Sequence, residues 1–213
     1  MSDLFMSVTT GQNAAGSQHQ CDALFSGFWF SKGEASVGQR HARRNEGILL
    51  KNGEQISFSG PKATDWIRFD ITRDAPVDGA LLASKIALPA QPENAACLLR
   101  LDQVTFPTGA AAYRHVHPGD GIRFLVNGEL RVIADTHQDT AKVGSAWFEA
   151  ANSPVRAEAS TTQSQTSFVR FMVLPAAYVG QPTIRILDEA EAQLPRKQVT
   201  QRHIDELAYL SPG

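Results

Sequence analysis

Short runs in which apolar and polar residues alternate recur along the chain, divided by glycine, proline and asparagine. Trp66-Ile67-Arg68-Phe69-Asp70-Ile71 has the period of two that predicts a half-buried strand. Ala96 to Leu101, Gln103 to Phe106, Gly121 to Val126, Glu129 to Ala134 and Phe168 to Leu174 repeat the theme. Two Asn-Gly pairs, Asn52-Gly53 and Asn127-Gly128, follow strand-like runs and read as hairpin turns. Many short strands with such punctuation predict an all-β barrel or sandwich and disfavour a βαβ fold.

The texture divides the chain into three regions. Residues 1–45 are rich in Gly, Ser and Gln and are read as a partly ordered N-terminal arm, with the aromatic cluster Phe25, Phe28, Trp29 and Phe30 docking on an apolar surface. Residues 46–178 carry the barrel. Residues 179–213 form a C-terminal tail, in which Gln201 to Leu210 predicts a short helix with Ile204, Leu207 and Ala208 on one face. The same tail contains the polar run Asp188 to Leu194, and Pro182, Pro195 and Pro212 stop any longer helix.

Composition narrows the classes. Of the 213 residues, 42% are hydrophobic and 20% charged, as in an ordinary globular protein. A formal net charge of −2 offers no field to attract nucleic acid or an anionic membrane. The basic run from Arg40 to Arg44 is short and reads as a solvated loop. Two distant cysteines, Cys21 and Cys97, are too few for a disulfide scaffold and read as free thiols. The start of the chain lacks the pattern of a secretory signal, and no stretch reaches the roughly 18 apolar residues that span a bilayer. A cytoplasmic location is the expectation.

The chemistry concentrates in residues 109–128. His115 and His117 lie two apart on a strand, so their imidazoles share one face and make a chelate for Fe, Mn, Ni, Cu or Zn. Pro118-Gly119-Asp120 then turns the chain into the strand that ends at Asn127-Gly128. This stretch resembles the first motif of the cupin superfamily, in which a Gly, a His-x-His pair, a Glu and a second Gly follow at set spacing. Gly109, His115, His117 and Gly128 match it, and the Glu position falls on Gly121. In the second motif Gly144 is in place, but the Pro, Gly and His positions fall on Ala150, Asn152 and Val155. The resemblance spans about residues 95–175 and implies a small single-domain cupin, a jelly-roll (double-stranded β-helix) barrel with degenerate metal motifs, paired as a homodimer.

Only His115 and His117 transfer as metal ligands. Glu149, one residue before the usual Pro, is the candidate third ligand and a candidate catalytic carboxylate, completing a two-His-one-carboxylate face suited to oxygen chemistry. His137 is a weaker candidate in a polar loop and reads as a surface residue. If position 121 faces inward, Arg123 does too, either as a clamp for a substrate anion or in an internal salt bridge with Glu149 or Asp120. Tyr113 is placed on the His115 face, offering a phenol to the site or capping the barrel, whereas Arg114 faces the other way. Trp147 is expected on the pocket wall, beside the substrate. The function expected is a small-molecule metalloenzyme using a divalent transition metal on an anionic substrate. The alternatives are a metal-free binding or sensing module and a scaffold with a filled barrel.

Overall fold

Alternation becomes strand along almost the whole chain. The computed structural model describes residues 3–89 and 95–210; the stop expected at Pro212 lies outside them. The described residues form two compact units, the first running to Ala87 and including Leu210, the second running from Leu88 to Tyr209. In the first are Leu4–Asn13 (β1), Gln18–Gln20 (β2), Phe25–Lys32 (β3), Glu34–Val37 (β4), Arg40–Arg43 (β5), Gly47–Lys51 (β6), Gln55–Ser59 (β7), Thr64–Arg73 (β8) and Leu82–Ile86 (β9). In the second are Cys97–Pro107 (β10), Ala111–Val116 (β11), Gly121–Asn127 (β12), Glu129–Ala134 (β13), Gln138–Lys142 (β14), Ala146–Glu149 (β15), Val155–Ala159 (β16), Gln165–Pro175 (β17), Arg185–Ile186 (β18) and Val199–Ala208 (β19).

Each unit is a pair of antiparallel sheets with the same strand order. The first unit has β6-β3-β8-β1-β9 and β2-β7-β4-β5; the second has β15-β12-β17-β10-β19 and β14-β13-β16-β11-β18. Shifting the first eight strands by nine maps one pattern onto the other, so the chain holds two jelly rolls in succession. The expected arm over residues 1–45 is therefore the first half of a barrel of its own. Leu4, Met6 and Val8 alternate into its core, while Ser7 between them and Thr9 and Thr10 after them give the segment a polar texture. The dense aromatic cluster is β3, next to the middle strand of that unit's larger sheet.

Two further expectations change. Residues 201–210 form most of β19 rather than a helix: Ile204 and Ala208 are buried and Leu207 is exposed, a spacing of four that suits a period of two as well as 3.6. The tail's helical turn lies instead at Glu189–Ala192, whose N-terminus is capped by the Asp188 carboxylate accepting from Glu191 N at 2.9 Å. Neither Asn-Gly turn closes a hairpin. Gly53 and Gly128 adopt φ of 80° and 76° as such turns require, but β6 and β7, like β12 and β13, lie in different sheets. In this fold the tight turn carries the chain across the barrel.

The second unit's interior is layered. Val104, Phe106, Leu125, Leu130 and Phe168 pack one end, and Leu98, Met172 and Leu174 the other. Between them the inward positions of β10, β12 and β17 are Asp102, Arg123 and Arg170, all buried. A polar band at mid-barrel, bounded by apolar layers, is where the site forms.

Candidate functional site

β11 brings His115 to the middle of its sheet, opposite Val155 of β16 and Ile186 of β18. His117 follows just past the strand's end. Both rings are buried, with centroids 4.8 Å apart and planes at 81°. Their hydrogen bonds assign their protons. His115 Nδ1 lies 2.6 Å from the Tyr113 carbonyl and His117 Nδ1 3.2 Å from the Thr183 carbonyl, so each Nδ1–H donates to backbone. Both Nε2 atoms then carry lone pairs, and they face each other at 3.2 Å. Burial, the largest cause, keeps both imidazoles below the ordinary value of 6.5, His117 well below it; nearby Arg170 and Arg123 push the same way.

Two guanidinium groups flank the imidazoles. Arg170 donates from Nη1 to His117 Nε2 at 3.1 Å and from Nε and Nη2 to Asp102 Oδ2 at 3.3 and 2.9 Å. Arg123 is 1% exposed; its Nη1 donates to the Gly121 carbonyl at 2.6 Å, and its Nη2 lies 2.8 Å from Glu149 Oε2 without hydrogen-bond alignment. Burial pulls Arg123 down to about 10, which leaves it charged at neutral pH. The other oxygen of Glu149 accepts from Trp147 Nε1 at 2.8 Å. These side chains line an internal cavity of about 60 Å³, with room for a few water-sized groups. A second cavity of about 330 Å³ adjoins it and shares Arg170, Ile184, Gln198 and Thr200 as walls. Arg100, Arg196 and Arg202 add to its lining.

The structure brings His115, His117, Arg123, Trp147 and Glu149 to one cavity. It places Tyr113 elsewhere. The β11–β16 ladder shifts register between Ala112 and His115, so the strand changes phase and the phenol turns away from the cavity. The Tyr113 ring instead lies 5.6 Å from the Arg156 guanidinium, and Arg156 is one residue out of phase with the inward-facing Val155 and Ala157. Only its carbonyl serves the site. Arg114 points outward to Asp135 at 2.8 Å, and His137 sits on the surface beside Asp139.

Sequence reasoning missed Arg170, Asp102 and Gln198. Two of these carried a signal: Arg170 interrupts the apolar run from Phe168 to Leu174, and Asp102 follows the apolar Leu98, Leu99 and Leu101. A lone charge on the inward phase of a buried strand needs a partner there. Gln198 lies in the tail and carried no such mark.

A divalent metal would need the two Nε2 atoms and a third donor. The imidazoles suit it, since both are neutral and anchored through Nδ1. Their surroundings do not. The Arg170 Nη1–H occupies the lone pair of His117, and the Glu149 carboxylate is held by Arg123 and Trp147. A side chain at Gly121 has no room: an added Cβ would meet Phe171 O at 2.6 Å, Met172 Cγ at 2.7 Å and Arg123 Nη1 at 3.0 Å. Among the described residues no group of three His, Cys, Asp or Glu side chains is placed to hold a metal ion. The residues present do not fit the metal.

Neither a family model nor a curated protein sequence matches the chain. Solved structures do. A Bacillus subtilis oxalate decarboxylase, studied for its Mn(II) centres, aligns over 91% of this chain and 74% of its own, with a TM-score of 0.59 at 12% identity. The vicilin of hazelnut, Corylus avellana, aligns over 79% and 76%, with a TM-score of 0.55 at 10% identity. AerE of Microcystis aeruginosa aligns over 81% and 88%, with a TM-score of 0.55 at 14% identity. The fold is that of the cupins. Identities this low carry the cupin architecture and nothing of the chemistry, which rests on this chain's own residues. Against the single small cupin of the sequence reading, the chain has two cupin-like units, and the histidine pair belongs to the second.

Proposed function

We propose that the second barrel binds a small anionic molecule through its own side chains, without a metal. The observation that carries this reading is the Arg170 guanidinium on His117 Nε2, which sets a cation where a metal would stand. Charge supports it as well. Among the described residues the outer cavity is lined by Arg100, Arg170, Arg196 and Arg202 with Asp102 as the one carboxylate, so an anion entering there meets a positive field. Arg100 is committed to Asp205 and to the Tyr178 and Gln181 carbonyls; Arg202 reaches Asp205 and the Gln181 carbonyl only at 3.4 and 3.3 Å, so it faces the ligand with Arg196 and the unspent N–H groups of Arg170. The inner cavity limits the buried end to a few heavy atoms.

The test has two parts. Elemental analysis of protein purified without a polyhistidine tag is expected to find no stoichiometric transition metal. Calorimetry of chelator-treated protein with propionate and lactate is expected to show binding, weakened about tenfold in Arg202→Gln by loss of a charge-assisted contact. Stoichiometric Fe, Mn, Ni, Cu or Zn, absent from a His115→Ala/His117→Ala variant, would overturn the reading. So would failure of both acids to bind.

A further inference from the structure

The cavity walls present more unmatched acceptors than an anion alone satisfies. His115 Nε2 faces His117 Nε2, whose lone pair already accepts from Arg170, so among the described residues it is left without a donor. Gln198 Oε1 and Asp102 Oδ1 are buried without a hydrogen-bond partner, the second lying 3.8 Å from Arg202 Nε as an ion pair only. All three belong to residues lining the inner or the outer cavity, and Gln198 lines both. A buried acceptor left unmatched costs about as much as a lost hydrogen bond, so three in one place mark a ligand that donates. Donors for an anion are also present. Arg123 Nη2 has no aligned acceptor, and Arg170 commits three of its five N–H groups to Asp102 and His117.

We infer that the ligand is a hydroxy acid, its hydroxyl donating to the acceptors around His115 and Gln198 and its carboxylate facing Arg170 and Arg202. This rests on the small-anion reading above and adds the donor. A hydroxyl fits better than an ammonium group, because Arg123 and Arg170 stand beside the acceptors and repel a cation. It also serves Gln198 whichever way its amide is turned, since a hydroxyl both donates and accepts.

Propionate, lactate and alanine share one carbon skeleton and differ in carrying hydrogen, hydroxyl or ammonium at one position. In calorimetry on the chelator-treated wild-type protein, one lactate enantiomer is expected to bind about tenfold tighter than propionate, equivalent to about 1.4 kcal/mol. Alanine is expected to bind more weakly than either. Gln198→Leu is expected to bring lactate down toward propionate while propionate binding persists. In the unmodified protein, the ¹⁵N resonance of His115 Nε2 is expected to shift on adding lactate and not propionate, a readout independent of any variant. Equal binding of lactate and propionate overturns the hydroxyl assignment and leaves the small-anion reading standing. Alanine binding as tightly as lactate overturns it equally. Failure of all three to bind overturns the reading beneath it.

Discussion

In the first barrel Arg68 of β8 stands opposite Phe28 of β3; in the second Arg170 of β17 stands opposite Arg123 of β12. The ladders match further out. Phe28 pairs with Ile48 and Ser26 with Leu50 on β6, as Arg123 pairs with Trp147 and Gly121 with Glu149 on β15. His19 faces Ile56 across β2 and β7, as His115 faces Val155 across β11 and β16. Even the arginine–imidazole contact repeats, at 3.0 Å between Arg68 and His19 Nε2 and 3.1 Å between Arg170 and His117 Nε2. By ladder position, Phe28 replaces Arg123 and Leu50 replaces Glu149. Phe28 packs against Phe30, Phe58 and Trp66 beside the buried Arg68–Asp70 pair, where the second barrel adds the Arg123–Glu149 pair and a cavity. The scaffold is common to both. Two inward positions decide whether it holds a core or a site.

Breaking the buried pair on one side alone gives the largest expected effect. Arg123→Met leaves the Glu149 carboxylate, 15% exposed at its side chain, without its cation. The cost expected is about 3–5 kcal/mol, the range for uncompensated buried charges. Peptide-resolved hydrogen exchange should place the loss in the second unit. A cost under about 1 kcal/mol would mean that water already screens the pair, and the contrast with Phe28 would lose its energetic basis.

Copying the first barrel's solution sharpens the contrast. Arg123→Phe combined with Glu149→Leu reproduces the Phe28 and Leu50 pattern. Replacing a buried ion pair by packed apolar residues is often neutral or stabilising by about 1–4 kcal/mol. Part of that gain is offset here, because Trp147 Nε1 loses its acceptor. The double variant is expected to be at least as stable as the parent and to bind neither lactate nor propionate. Retained binding would show that the ligand does not need the inner cavity.

How much of this was legible follows from what each residue shows locally. Strands β10, β12, β13 and β17 of the second barrel, the shared face of His115 and His117 and the inward turn of Arg123 follow from a period of two, which the sequence displays; β19 did not, because its spacing of four also suits a helix. The first barrel was hidden because its signature pair is reduced to His19 and Cys21, and because Ser, Thr and Gln on the outer faces of its strands mimic a flexible segment. The placement of Tyr113 failed for a different reason. A bulge adds a residue to one strand without marking the sequence, and every alternation counted across it inverts. Arg170 and Asp102 were legible as lone charges on inward strand phases, whereas Gln198 reaches the cavity from a tail distant in sequence, which no local pattern encodes.

Acid gives a gentler probe of the same difference. The second barrel keeps His115 and His117 neutral in the fold, with His117 held well below 6.5, whereas the unfolded chain protonates both as pH falls through that value. Below pH 6.5 the unfolded state therefore binds more protons, and stability falls with pH until the folded-state values are reached. Each proton taken up only on unfolding contributes a slope of about 1.4 kcal/mol per pH unit. His19 of the first barrel is lowered too, by burial first and then by Arg68, with Asp22 and Asp70 opposing. Hydrogen exchange between pH 7 and pH 5.5 is accordingly expected to lose more protection in the second unit than in the first. His117→Gln should remove much of that excess and leave the first unit's response unchanged. An acid response of equal size in both units would mean that His117 is hydrated and protonates freely, and that the Arg170 contact does not hold its Nε2 as an acceptor.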